Sequence, residues 1–245
     1  MTDDTLDFEK EKTTSIKKMY TDPEMGELNR RWFDLSFEHK YSYNFSWLGL
    51  PIIQYPQDIV AIQEIVWKVQ PKTIIETGIA RGGSLIFYSS LVKLLGNQGK
   101  VIGIDIEIRN HNRKRIEKHS LFDSIELVEA SSIDPSTILK VEKMIDTSKP
   151  VLVVLDSNHT HDHVLSELRM YKDFVTKGSY IIVLDTHCEN LPQHLLANRP
   201  WGKGNSPMTA VTEFLKSNKN FQVDNEIHEK LGVTGAPFGY IKRVD

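Results

Sequence analysis

Thr73-Ile74-Ile75-Glu76-Thr77-Gly78-Ile79-Ala80-Arg81-Gly82-Gly83-Ser84 joins a short apolar run, an acid and a turn of small residues. The run Thr73-Ile74-Ile75 shows no polar alternation, so it reads as a strand buried on both faces. Small residues at 78, 80, 82 and 83 then lead into a helical stretch from Gly83. A strand, a glycine turn and a helix in that order form the first crossover of a doubly wound sheet. There, ligands lie beyond the C-terminal strand ends and backbone NH groups approach them closely.

Downstream, the same rhythm repeats. Val101-Ile102-Gly103-Ile104, Ile125-Glu126-Leu127-Val128, Val151-Leu152-Val153-Val154-Leu155 and Tyr180-Ile181-Ile182-Val183-Leu184 alternate with amphipathic stretches near 83–95, 110–119, 135–146 and 161–174. The chain closes with Phe221-Gln222-Val223 and Phe238-Gly239-Tyr240-Ile241-Lys242. This spacing predicts an α/β fold: a mostly parallel seven-stranded sheet with helices on both faces and an antiparallel C-terminal pair. A helix opened by Pro56 and stopped by Pro71 precedes the first strand, and one opened by Ser206-Pro207 follows the fifth. The intervening polar loop, 185 to 205, is long for a compact domain, as functional or mobile loops are.

Residues 1–54 read as a separate N-terminal arm, two helices and then an irregular aromatic stretch (Trp32, Phe33, Phe37, Tyr41, Tyr43, Phe45, Trp47) ahead of a main domain at 55–245. The arm is expected to pack on the main domain or a neighbouring subunit, or to cover substrate. With 30 Lys and Arg against 33 Asp and Glu, and only Arg113-Lys114-Arg115 as a basic cluster, a nucleic-acid partner is not expected. One cysteine, Cys188, fits a reducing compartment, and no apolar run approaches a membrane span or signal peptide. A cytoplasmic protein with no membrane partner is the expectation.

Glu76 narrows the ligand on the glycine turn. An acid at the end of the strand suits the ammonium of a methionine moiety and would repel a dinucleotide pyrophosphate. Asp105 lies 23 residues past Gly82, where a carboxylate can accept from both ribose hydroxyls. These features point to S-adenosylmethionine, held by Glu76, Gly78, Ala80, Gly82, Ser84 and Asp105. After the third strand, Ser131 and Ser132 are candidates for the adenine, or Ser132 or Asp134 caps the helix before Pro135.

Strand four ends in Asp156-Ser157-Asn158-His159-Thr160-His161-Asp162-His163 and strand five in Asp185-Thr186-His187. Adjacent strand ends bring Asp156 and Asp185 within reach of one cation, and oxygen ligands suit Mg²⁺ or Mn²⁺. Such an ion lowers the pKa of an acceptor hydroxyl, and His159 is the candidate base that removes its proton. Alternatively, Asp156 meets the cofactor or backbone amides and Asp185 caps the following loop. A zinc site from His159, His161 and His163 is disfavoured, because alternate spacing suits a strand rather than a helix entrance. Cys188 beside His187 lacks the context of a nucleophile.

Together with Gly178-Ser179-Tyr180 and the Pro-Trp-Gly-x-Gly-Asn-x-Pro loop from Pro200 to Pro207, these motifs resemble the cephalosporin hydroxylase/rhamnosyl O-methyltransferase family over roughly residues 30–245. The resemblance implies a Rossmann-like methyltransferase fold, S-adenosylmethionine, Mg²⁺ on Asp156 and Asp185, His159 as base, and a homo-oligomer. Family members often carry Glu-Asp at the end of strand five, where this chain has Leu184-Asp185. The function expected is Mg-assisted O-methylation of a hydroxyl on a sugar or small natural product. The alternatives are a cofactor-binding partner subunit weakened in catalysis and a small-molecule hydroxylase.

Overall fold

The computed structural model describes residues 3–245. Two helices come first, α1 (Asp3–Thr21) and α2 (Pro23–Glu38), separated by Asp22, whose carboxylate accepts from the backbone of Glu24 and Met25 and caps α2. A 3₁₀ turn at Tyr41–Asn44 leads into a hairpin of β1 (Ser46–Trp47) and β2 (Leu50–Pro51). The aromatic stretch is therefore more ordered than its sequence indicates. Two-residue strands carry no periodicity to read, and the turn depends on positive φ at Leu48 and Gly49.

The main sheet follows: α3 (Pro56–Val69), β3 (Thr73–Thr77), α4 (Gly83–Leu95), β4 (Lys100–Asp105), α5 (Asn110–Glu117), β5 (Ile125–Glu129), α6 (Pro135–Glu142), β6 (Val151–Leu155), α7 (His161–Tyr171) and β7 (Tyr180–Val183). The end of the chain adds α8 (Pro207–Ser217), β8 (Phe221–Val223), α9 (Asn225–Leu231) and β9 (Tyr240–Arg243). Strand order is β5-β4-β3-β6-β7-β9-β8, with β5 to β7 parallel and β9 antiparallel to both neighbours. The expected seven-stranded sheet with its antiparallel pair is present. Helix α9 is an addition: Asp224 caps it through Ile227 N, inside what reads as a connection.

Alternation along each parallel strand divides two apolar layers. Ile74, Leu152 and Ile182 pack with Ile62, Ile65 and Leu85 on one face. Ile75, Val153 and Ile181 pack with Leu168 and Phe214 on the other. Each such side chain, removed from water on both sides of the sheet, contributes about 1.5–3 kcal/mol of transfer free energy. This rigid slab fixes the strand ends from which the polar residues emerge.

Helix α2 does not stand apart from that slab. Phe33 stacks on Tyr55 at 5.0 Å and meets the His187 ring edge-on at 4.9 Å, with Phe37 beside it at 5.4 Å. Among the described residues, no helix is long and apolar enough to cross a membrane.

Candidate active site

Strand β3 lies between β4 and β6, so the chain winds outward in both directions from it, and the crevice above it is where such sheets bind ligands. Two backbone bonds seal the strand ends: Gly78 N to Ile104 O at 2.7 Å and Asp156 N to Thr77 O at 2.9 Å. A cleft of about 610 Å³ opens there, walled in part by Gln54, Ala80, Asp156, His159, Asp185 and Trp201.

The glycine turn is tighter than a ligand alone would demand. A Cβ on Gly78, whose φ is +80°, would lie 2.1 Å from the Asp156 carbonyl oxygen, and one on Gly83 would lie 2.1 Å from that of Pro51. Close packing by the protein's own backbone therefore accounts for these two glycines. Gly82 is the N-terminal cap of α4, and Ala80 is exposed on the turn with φ +43°.

Glu76 is fully buried on β3. Its Oε2 accepts from Ser84 Oγ at 2.8 Å, whereas Oε1 has no hydrogen-bond partner. Burial pushes this carboxyl up to about 8, partly offset by the hydroxyls of Ser84 and Tyr88. Asp105 closes the turn, with Oδ2 accepting from Ile79 N at 3.0 Å and Oδ1 from Glu107 N at 3.2 Å. A carboxylate has about four acceptor positions, so lone pairs remain for ribose hydroxyls.

Ser132 is buried against His163 Nε2 at 3.1 Å, and it is Asp134 that caps α6 through Ser136 N. His163 also meets Ser157 Oγ at 3.0 Å, and Ser157 donates to the buried Glu167 at 2.7 Å. His161 faces the other way, towards Thr209 at 2.8 Å and Glu213 at 3.3 Å. The three histidines of the 159–163 stretch do not converge, in keeping with the disfavoured zinc reading.

Asp156, His159 and Asp185 do converge: one ligand atom from each lies within 4.8 Å of the others. His159 Nε2 is 3.1 Å from Asp185 Oδ2, and Asp185 itself holds a left-handed φ of +56° just past β7. Burial first, and then the negative charges of Asp185 and Glu76, hold the Asp156 carboxyl well above the usual range. Burial also lowers His159, against the upward pull of Asp185, so its imidazole is neutral near physiological pH and free to accept a proton or a cation. Two crowded carboxylates and a neutral imidazole form a donor set suited to a hard divalent cation, which would relieve their repulsion. Leu184 is buried in the apolar layer and adds no ligand.

The loop after β7 is ordered by Glu189, which accepts from Gly204 N at 3.0 Å and from Ser206 Oγ at 2.6 Å. It carries Trp201 edge-on to His159 at 4.8 Å, with the Arg199 guanidinium 5.2 Å from the indole centre. Cys188 Sγ lies 4.0 Å from His187 Nε2, yet burial drives the thiol strongly upward, so it stays protonated and unreactive. His187 is held through Nδ1 to Gly235 O at 2.7 Å.

Sequence reasoning missed three groups near this cleft. Asp58, fully buried, accepts from Gly235 N at 2.7 Å, from Tyr240 OH at 2.7 Å and from Thr234, fastening the 234–236 turn beside His187. Gln54 and Tyr88 are buried polar side chains near Glu76. Only Asp58 carries a signal in the sequence, an acid in the first turn of a helix, and the helix dipole is sufficient to explain an acid there.

Fold and site together define the class of Rossmann-like methyltransferases. The Rhamnosyl O-methyltransferase/CmcI profile matches residues 39–244, and the chain belongs to that family. Rhamnosyl O-methyltransferases from Mycobacterium tuberculosis (strain H37Rv) and Mycobacterium leprae are 28% and 26% identical, each over 84% of this chain and over 83% and 88% of their own. A CmcI structure with Mg and SAM superposes with a TM-score of 0.57 at 20% identity, over 83% of this chain and 78% of that one. An O-methyltransferase from Bacillus cereus in complex with SAH gives 0.51 at 14% identity, over 82% of each chain. These two likenesses are of fold.

Proposed function

We propose that this protein is an S-adenosylmethionine-dependent, Mg-assisted O-methyltransferase acting on a hydroxyl of a sugar or small natural product. The observation that carries this reading is the convergence of Asp156, His159 and Asp185 beside the glycine turn, on the cofactor side of a methyltransferase-type sheet. Membership of a family named for rhamnosyl O-methylation supports the hydroxyl acceptor.

The residues fit the donor. Glu76 offers an unpaired buried oxygen to an ammonium, Asp105 has spare lone pairs for ribose hydroxyls, and Ser132 stands at the end of β5 where an adenine would lie. When bound, S-adenosylmethionine supplies an electrophilic sulfonium methyl. Asp156 and Asp185 are the residues that would hold Mg²⁺ (or Mn²⁺), whose charge makes a neighbouring hydroxyl more acidic. His159 accepts the proton of that hydroxyl through the ring nitrogen not engaged by Asp185, a role suited to an imidazole kept neutral by burial. Asp185, 3.1 Å away, orients the ring and stabilises the imidazolium that results. Trp201, packed on His159, and the edge of the 185–205 loop keep water from the reacting oxygen.

The N-terminal arm contributes to this cleft through Phe37 of α2, which lines it. The row Leu28, Trp32 and Leu35, exposed on α2 at helical spacing, supports a homo-oligomer, and the buried reduced Cys188 suits a cytoplasmic setting. Calorimetry with S-adenosylmethionine and its demethylated product tests the donor assignment. Saturable binding of both is expected, and no heat with either would overturn it.

A further inference from the structure

Four buried polar atoms in one region lack hydrogen-bond partners: Gln54 Nε2, Gln54 Oε1, Tyr88 OH and Glu76 Oε1. Buried polar atoms without partners are costly, so such a group points to a missing ligand or water. Gln54 is 94% buried, at 6% exposure, yet its side chain forms part of the cleft wall. Behind it, the Tyr88 hydroxyl is close enough to both Gln54 and Glu76 to influence and be influenced by them, without an aligned bond to either. The three side chains come from separate elements: the segment between β2 and α3, helix α4 and strand β3. They form a polar path from the cleft to the buried acid.

The vacant valences specify a ligand. Gln54 Nε2 requires an acceptor, Gln54 Oε1 requires a donor, and Glu76 requires a cation or a proton. A zwitterionic α-amino acid group supplies all three at once, with its ammonium N–H donors and its carboxylate acceptors on the same α-carbon. A single buried water could serve one or two of these atoms but carries no charge for Glu76.

We infer that Gln54 is a binding residue for the α-amino-carboxylate end of the methyl donor, with Tyr88 linking it to Glu76. The inference rests on the S-adenosylmethionine reading above and assigns that molecule's amino acid end to a residue from outside the glycine turn. Gln54 belongs to the chain segment that also carries the β1–β2 hairpin, and the Pro51 carbonyl of that hairpin is pressed against Gly83. The donor's amino acid end would therefore meet residues of both the N-terminal segment and the glycine turn, which already pack on each other.

The test compares two ligands on the full chain, S-adenosylhomocysteine and 5′-methylthioadenosine, which lacks the amino acid end. Gln54→Leu keeps the size of the side chain and removes its polarity. It should weaken S-adenosylhomocysteine by roughly ten- to a hundredfold, the range for hydrogen bonds to charged groups, and leave methylthioadenosine within about twofold. Equal loss for both ligands would show a structural effect and overturn the inference, as would unchanged affinity for S-adenosylhomocysteine. Wild-type affinities that do not differ between the two ligands would also overturn it. Failure of the wild-type chain to bind either ligand would instead overturn the donor reading on which it rests.

Discussion

Replacing Glu76 by Gln should change the proton stoichiometry of donor binding. Burial raises the Glu76 carboxyl to about 8, so at about pH 7 roughly 90% of the ligand-free protein carries that proton. S-adenosylmethionine is net positive through its sulfonium and ammonium. A positive charge at about 6 Å and an effective dielectric near 20 favours the carboxylate by about 3 kcal/mol, enough to bring its pKa to about 6. Binding then releases about 0.8 proton from Glu76, while the ligand's own amine, with a pKa near 7.8, takes up about 0.1. The net release of about 0.7 proton makes the measured binding enthalpy at about pH 7 depend on the ionisation enthalpy of the buffer. Calorimetry in two buffers of different ionisation enthalpy reads that slope directly. Glu76→Gln should flatten it. A wild-type enthalpy independent of buffer, or the same slope in Glu76→Gln, would refute the placement of an ionisable Glu76 next to the ligand's positive end.

The same group gives a stability prediction with a definite sign. Because the native chain keeps a proton that the unfolded chain has lost, Glu76 makes the ligand-free protein less stable as pH rises from its usual 4.5 through about 8. Chemical denaturation across that window should show the decline, of up to about 5 kcal/mol from this group, and Glu76→Gln should reduce it. Gly83→Ala should destabilise by about 1–3 kcal/mol in the same assay, because the new methyl meets the Pro51 carbonyl. Asp185→Asn should weaken Mg²⁺ binding, measured by titration calorimetry, with little change in affinity for S-adenosylhomocysteine. Chelation with EDTA should depress turnover of the wild type and have less to remove in that variant.

The sheet was legible because its information is local. Unbroken runs such as Val151–Leu155 and Tyr180–Val183 announce strands buried on both faces, and proline or capping residues mark the helix starts. Asp156 and Asp185 could be placed together for the same reason: both follow strands that pair side by side. Other features depend on the folded chain. The steric need for Gly78 and Gly83 arises from carbonyls of Asp156 and Pro51, one of them from a hairpin with no periodic signal. Gln54 and Tyr88 look like an ordinary loop amide and a core aromatic in sequence, and only packing places their unpaired atoms near Glu76. Ser132 could be read as cap or ligand contact. The structure gives the cap to Asp134 and engages Ser132 with His163.

In the proposed reaction His159 deprotonates a hydroxyl placed beside a donor methyl and a divalent ion. The most direct test is methyl transfer from labelled S-adenosylmethionine to a series of glycosides in the presence of Mg²⁺, with the product read by mass and by the atom that gains the methyl. Methylation on oxygen is expected, with His159→Ala lowering kcat by about 10²–10⁴ while still binding S-adenosylhomocysteine. Methylation on nitrogen or carbon, or wild-type turnover by His159→Ala, would contradict it.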